Sequence, residues 1–158
     1  MSRANHEWGI GYLAHVVFNL SDYCQEDYLE DSRVAGLMEQ FILNLQDKYV
    51  TPVYAYCVMP GHVHIVLKFN ADPAKVMQFL KGASAFQINK LVQRRGTLWQ
   101  ASTHDQIIRS KEQFLNACFY VWQNPVKAKL VSSPSEYQYS DYKKMHRKIY
   151  KIADALFA

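Results

Sequence analysis

Long apolar runs, a paired cysteine framework and glycine-rich loops are all missing from this chain, and each absence removes a class of protein. No stretch of about 18 consecutive apolar residues occurs, so no membrane-spanning helix is expected. The first residues, Met1-Ser-Arg-Ala-Asn-His-Glu-Trp8, lack the apolar core of a secretion signal, and a cytoplasmic protein is the expectation. The three cysteines, Cys24, Cys57 and Cys118, are odd in number, far apart and set among apolar neighbours. That pattern argues against a disulfide scaffold or a zinc knuckle and for buried thiols. No Gly-rich phosphate loop is present, so nothing points to an ATP site. Internal repeats, low-complexity tracts and linkers are absent too. What remains is 158 residues, 49% hydrophobic and 14% aromatic, ample for the core of a single domain.

Hydrophobic periodicity predicts strands over about 10–19, 53–59, 62–69 and 105–109, and helices over about 31–48, 73–93 and 111–123. A last helix is expected over about 141–156. Asp72-Pro73 opens the second helical stretch in the favoured way, an N-cap followed by proline at the first position. Gly82 interrupts its pattern, yet Val76, Phe79, Leu80, Ala83, Phe86 and Leu91 still supply an apolar stripe. Strand-helix-strand-strand-helix-strand is the order of a ferredoxin-like split βαβ sandwich. The predicted class is therefore α+β with an antiparallel sheet and a further helix behind it, in one domain spanning 1–158. Its core covers about 8–131, and a basic tail about 132–158.

Within the apolar run Val53-Tyr-Ala-Tyr-Cys-Val-Met-Pro-Gly-His-Val-His-Ile-Val-Leu67, Pro60-Gly61 marks a tight turn, and the second strand opens on His62-Val63-His64. Residues two apart in a strand share a face, about 7 Å apart at the backbone, so the two imidazoles are close enough to share one ion. Two neutral imidazoles with an amide oxygen would form a mixed N/O site with open positions, which suits Mg²⁺ or Mn²⁺ better than a closed structural zinc.

A second constellation lies in Ser110-Lys-Glu-Gln-Phe-Leu-Asn-Ala-Cys-Phe-Tyr-Val-Trp-Gln-Asn-Pro125. Ser110 and Gln113 have capping-box spacing, Phe114, Leu115, Cys118, Val121 and Trp122 recur at helical spacing, and Pro125 is expected to close the helix. Tyr120 and Asn124, four apart, emerge one turn apart on the same face, with Gln123 close to it. The phenol is a candidate nucleophile beside a candidate ligand.

The net charge is +4. Lys81, Lys90, Arg94 and Arg95 fall along one helix and its exit, and Lys143, Lys144, Arg147, Lys148 and Lys151 crowd the tail with Tyr142 and Tyr150 interleaved. Basic residues mixed with aromatics can track phosphates and stack unpaired bases.

Tyr54-Ala-Tyr-Cys-Val-Met-Pro-Gly-His-Val-His-Ile-Val-Leu67 resembles the His-hydrophobic-His block of the single-tyrosine (HUH) transposases, the IS200-like group. Tyr120-Val-Trp-Gln-Asn-Pro-Val-Lys-Ala-Lys-Leu-Val131 is similar to the tyrosine-to-Asn-Pro block of their REP-associated branch. Tyr12-Leu-Ala-His-Val-Val-Phe18, Gly96-Thr-Leu-Trp-Gln100, Asp105-Gln-Ile-Ile-Arg-Ser110 and Pro134-Ser-Glu-Tyr-Gln-Tyr-Ser-Asp-Tyr142 extend the likeness over most of the chain. Two positions depart: Gly61 replaces the family's usual Asn, and Asn19 stands where a basic residue often follows the first strand.

The resemblance implies a ferredoxin-like fold and a metal-dependent transesterification of single-stranded DNA. Tyr120 is implied as the nucleophile and a 5′-phosphotyrosine as the intermediate. It further implies Mg²⁺ or Mn²⁺ on His62, His64 and Asn124, with Gln123 in reserve for Asn124. The partner would be single-stranded or hairpin DNA, met through Arg94, Arg95, Lys143, Lys144, Arg147 and Lys148 by a nucleoid-associated monomer or homodimer. Because the free phenol has a pKa near 10, a cation polarising the scissile phosphate would ease its attack. Two other classes fit the same residues. One is a nucleic-acid-binding module derived from a transposase but without chemistry; the other is a metal-dependent hydrolase in which water attacks and Tyr120 merely packs.

Overall fold

A computed structural model of the chain describes residues 9–158. Its centre is a four-stranded sheet of β1 (Leu13–Asn19), β2 (Val53–Val58), β3 (His62–Lys68) and β4 (His104–Ile107), in the order β2-β3-β1-β4. Each neighbouring pair is antiparallel, so β1 and β2 run parallel with β3 between them, the expected split βαβ arrangement.

Strand alternation divides β1 between two cores. Ala14, Val16 and Phe18 face one side, where α1 (Ser32–Leu43), the short α2 (Leu45–Tyr49), α3 (Pro73–Met77) and α4 (Ser84–Leu91) cover the sheet. Val34, Met38, Ile42, Leu45, Val76, Leu80 and Ile88 pack there against Ile65 and Leu67. Leu13 faces the opposite side, where α5 (Lys111–Lys127), α6 (Tyr142–Met145) and α7 (Ile149–Leu156) supply Phe114, Cys118, Val121, Trp122, Met145, Ile149 and Ala153. With both faces covered, β3 is buried continuously from Val63 to Leu67, His64 included. Cys57 and Cys118 are buried free thiols, pushed up in pKa first by desolvation, and Cys24 is half-buried. Among the described residues, no helix is long and apolar enough to cross a membrane.

Four helical boundaries differ from the sequence expectation. The helix expected over 31–48 breaks at Asn44, which separates α1 from α2. The stretch expected as one helix over 73–93 contains a π-helical turn, Gln78–Ala83, that includes Gly82. Its loosened carbonyls are used by Ser84, whose hydroxyl donates to the Leu80 and Lys81 oxygens and accepts the Trp99 indole N–H at 3.0 Å. The tail helix is divided into α6 and α7. Finally, α5 does not stop at Pro125 but continues to Lys127. A proline removes its own N–H bond and crowds the carbonyl four residues back, yet the carbonyls of the last turn still find donors: Ala128 N–H binds the Asn124 oxygen at 3.0 Å and Leu130 N–H binds the Pro125 oxygen at 2.9 Å.

At the other end of α5, Ser110 accepts the Gln113 N–H at 3.1 Å, as the capping spacing predicts. The Gln113 side chain reaches one residue further than a standard box and accepts from Arg109 N–H at 2.8 Å. After α5 the chain returns along β2. Val58 N–H binds the Tyr139 oxygen at 2.8 Å, Tyr137 Oη donates to the Val58 oxygen at 2.6 Å, and Ser140 bridges to Cys57. Asp141 follows, 8% exposed, its Oδ1 accepting from both Tyr56 N–H and Trp122 Nε1–H at 2.8 Å. Burial outweighs those two donors and pushes its carboxyl up to about 6.

Candidate active site

The polar side of the sheet follows from register. Asn19 pairs with His62, Val17 with both His64 and His104, and His15 with Gln106. Alternation therefore brings His15, Val17, Asn19, His62, His64, His104 and Gln106 to one face, the face that α5 crosses. From α5, Gln113, Asn116, Ala117 and Tyr120 line the other wall, since spacings of three and four share a helix face. The cleft between them opens to solvent and has a volume of about 710 Å³.

The turn into β3 has its own geometry. Gly61 keeps an ordinary φ but has no room for a side chain to spare: an added Cβ would lie 3.3 Å from Asp27 Oδ1. Its carbonyl accepts Leu20 N–H at 2.9 Å, so the end of β1 and the start of β3 are held together where the histidines begin. The Asp27 carboxylate adds a negative charge facing His62.

The His62 and His64 rings lie 4.9 Å apart between centroids and are tilted by 75°. His64 is 5% exposed, and burial, then the neighbouring imidazoles of His62 and His15, push it down to about 3. His62 is also lowered, chiefly by burial, against an opposing hydrogen bond to the Asn124 side chain and the Asp27 charge. A bond that favours the protonated imidazole is one the ring donates, so the Asn124 oxygen faces His62. Both imidazoles are neutral at neutral pH and able to serve as ligands. Among the described residues no group of three or more His, Cys, Asp or Glu side chains could hold a metal ion. A divalent cation here would rest on two imidazoles and an amide oxygen, a mixed N/O donor set that leaves positions open for substrate.

Tyr120 meets these rings edge-on, 5.8 Å from the His64 centroid and 5.8 Å from that of His15. It is 45% exposed, so the phenol is reachable from solvent and is not core packing. The structure thus brings together Tyr120, His62, His64 and Asn124. Gln123, one residue earlier on α5, is exposed and does not line the cavity. Tyr56 lies on the opposite side of the sheet, its hydroxyl donating to Glu39 Oε2 at 2.6 Å.

Three features escaped the sequence reading. His15 Nε2 lies 3.0 Å from His64 Nδ1. The alternation of β1, His15-Val17-Asn19 opposite Ala14-Val16-Phe18, together with the split βαβ order, was the signal for it. His104, exposed in the same cavity, was missed because the last strand was started one residue late. Lys127 was missed because Pro125 was taken as the end of α5. Two turns beyond Tyr120, its ammonium sits 4.6 Å from the phenol ring centroid in a cation–π contact.

The basic residues separate into two kinds. Lys143, Lys144, Arg147, Lys148 and Lys151 are exposed along α6, α7 and the turn between them, and Arg95 is exposed as well. Arg94 is committed to its own turn: its guanidinium donates to Asn89 Oδ1 at 2.8 Å, Gly96 O at 3.4 Å and Thr97 O at 3.2 Å, and lies over Tyr28. Lys81 likewise donates to the Gln100 oxygen at 2.8 Å and to Thr103 Oγ1 at 3.0 Å. Of the two arginines, Arg95 is the one open to a phosphate.

Comparison with known proteins identifies the family. A Haemophilus influenzae protein named "Putative REP-associated tyrosine transposase" is 24% identical over 108 residues, 61% of this chain and 61% of that protein. The chain therefore spans about three fifths of that relative's length. A solved structure of a REP-associated tyrosine transposase bound to a REP hairpin superposes with a TM-score of 0.75 at 19% identity, covering 100% of this chain and 89% of that one, and it shares the fold. Residues 8–124, which carry the sheet, both histidines of β3, Tyr120 and Asn124, match the family described as "Transposase IS200 like". With its REP-associated homologues, this chain belongs to the IS200-like transposase family.

Proposed function

We propose that this chain cleaves and rejoins single-stranded DNA by transesterification, with Tyr120 as nucleophile. The observation that carries the reading is a solvent-reachable phenol edge-on to the neutral imidazoles of His64 and His15 in a polar cavity that also holds His62. In the forward step the Tyr120 oxygen loses its proton and bonds to phosphorus, and the bond to the 3′-oxygen breaks. A 5′-phosphotyrosyl enzyme and a free 3′-hydroxyl result, and because the phosphodiester energy is kept in the new bond the step can reverse. His62, His64 and the Asn124 oxygen would hold Mg²⁺ or Mn²⁺, whose contribution is to polarise the scissile phosphate. Gln123, exposed and outside the cavity, is the weaker choice for the third ligand.

Lys127, over the Tyr120 ring, favours an anionic phosphate beside the phenol. The exposed set Arg95, Lys143, Lys144, Arg147 and Lys148 would bind the sugar-phosphate backbone, which positions a strand without reading its bases. A hairpin is the partner seen with the structural relative, and a structured single strand is the substrate we propose here. Tyr120 and His64 meet within a single copy of the chain.

The test is to incubate the protein with an end-labelled single strand containing a hairpin and Mn²⁺, then denature. A labelled protein adduct with a free 3′-hydroxyl fragment supports the reading. Cleavage without an adduct would assign the attack to water, and binding with neither product would assign a binding module without chemistry.

A further inference from the structure

We propose that His15 is the positioning residue of the metal site, accepting the Nδ1 proton of His64 and so aiming His64 Nε2 at the cation. This rests on the reading that His62 and His64 hold a divalent ion. His15 Nε2 and His64 Nδ1 are 3.0 Å apart, with ring centroids 5.3 Å apart and planes within 29°. A nitrogen–nitrogen distance that much shorter than the centroid separation makes them an edge-to-edge hydrogen-bonded pair, not stacked faces. His15 Nε2 is therefore directed at His64, and among the described residues no group of three His, Cys, Asp or Glu side chains is placed to share an ion, which separates His15 from a third ligand.

The tautomers then follow. A neutral imidazole has one donor and one acceptor nitrogen. For His64 to offer Nε2 to a cation its proton must sit on Nδ1, and with His64 only 5% exposed, His15 Nε2 is the acceptor at hand. His15 must in turn carry its proton on Nδ1. In the reverse arrangement His15 would donate and His64 would hold its proton on Nε2, blocking the ligand position. Metal-bound histidines ordinarily donate this second N–H to a carboxylate, backbone carbonyl or water, which raises ligand basicity. A neutral imidazole in that place orients the ring while adding no negative charge, so it leaves His64 a correctly aimed but less basic ligand.

The experiment uses the full chain and three proteins: wild type, His15→Gln and His15→Phe. Gln places an amide oxygen near the former Nε2, whereas Phe keeps ring bulk and removes the acceptor. Mn²⁺ binding is measured by calorimetry, the histidine ring tautomers of the metal-free protein by nitrogen NMR, and folding by thermal melts. His15→Phe is expected to weaken Mn²⁺ binding between about ten- and a hundredfold, with His15→Gln close to wild type. In the wild type, His64 is expected to carry its proton on Nδ1. Unchanged affinity in His15→Phe, an equal loss in His15→Gln, or a proton on His64 Nε2 would each overturn the proposal. If His15→Phe melts early, the Gln variant and the wild-type tautomer still decide. A wild type that binds no Mn²⁺ would refute the metal reading instead, and the tautomer measurement would stand apart from it.

Discussion

Replacing Asp141 with Asn should remove from this protein's stability profile a contribution that is present in acid and lost as pH rises through a defined window. The carboxyl is 8% exposed and joins three elements, since Oδ1 accepts from Tyr56 on β2 and Trp122 on α5 while its backbone leads into α6. Desolvation raises its pKa, and the two N–H donors, its own backbone and the Lys144 charge oppose that rise. Desolvation wins, and the group moves from an ordinary 3.8 to about 6. Between those values the folded protein binds more protons than the unfolded chain, so stability falls as pH rises. The contribution is fully present below 3.8 and gone above about 6. At 1.36 kcal/mol per pH unit that interval corresponds to about 3 kcal/mol. Asn preserves an acceptor oxygen for Tyr56 and Trp122 but does not titrate. Urea unfolding followed by tryptophan fluorescence from pH 4 to 8 gives the comparison, with wild type minus variant as the readout. His15, His62 and His64, which destabilise at low pH because burial depresses them, are common to both proteins and subtract out. The difference should decline by about 2.4 kcal/mol from pH 4 to 8, the rest of the contribution lying below that window. Parallel profiles, or a wild type that gains on the variant as pH rises, would show that the two donors outweigh burial and refute the reasoning.

Tyr120→Phe should abolish the covalent adduct while leaving DNA binding and the melting temperature near wild type, because only the attacking oxygen is lost; persistence of the adduct on a denaturing gel would reassign the nucleophile. Lys127→Met removes the ammonium over the phenol ring, an interaction of about 0.5–1 kcal/mol, and should slow adduct formation roughly two- to fivefold in single-turnover assays. His62→Ala and His64→Ala should each weaken Mn²⁺ binding at least about tenfold by calorimetry, and wild-type affinity in both would sink the shared site. For Arg95→Ala, and for alanine at Lys143, Lys144, Arg147 and Lys148 together, the slope of log affinity against log salt on a single strand should fall by about 0.7 per contact removed. Arg94→Ala should leave that slope alone and instead cost about 1–2 kcal/mol in a chemical melt, since it breaks hydrogen bonds of the 89–97 turn.

The order of strands and helices, and with it the fold, was legible because alternation and helical spacing are strong in β1, β3 and α5. The core of the site was legible for the same reason. Period two put His62 and His64 on one face, and a separation of four put Tyr120 and Asn124 on one side of α5. What could not be read was set by contacts distant in sequence or by local exceptions. Pro125 looks like a terminator, yet the Asn124 and Pro125 carbonyls find donors beyond it and the helix runs one more turn, which carries Lys127. The π turn at Gln78–Ala83 depends on Ser84 meeting Trp99, fifteen residues away. Arg94 and Arg95 are indistinguishable as letters, and only the fold shows that one guanidinium is held by its own loop. His15 needed both the alternation of β1 and the knowledge that β1 lies beside β3, two inferences that have to be combined before either is informative.

The return of residues 139–141 along β2 also bears on unwanted strand pairing. An open sheet has two edges, and a bare edge strand is a template for another chain. β2 reads Val53-Tyr-Ala-Tyr-Cys-Val58, apolar and β-prone, the kind of segment that recruits strands when uncovered. Tyr139 and Asp141 occupy its Val58 and Tyr56 groups, so that margin is sealed by the chain's own end. The other margin is β4, four residues long and carrying His104, Asp105 and Gln106, short and polar in the way natural sheets discourage unwanted pairing. A shortened chain ending before Tyr137 would therefore lose more than basic charge. It would expose the β2 edge and leave the Trp122 and Tyr56 N–H groups without their acceptor, and it would come out of the cell as aggregate before its DNA affinity could be measured.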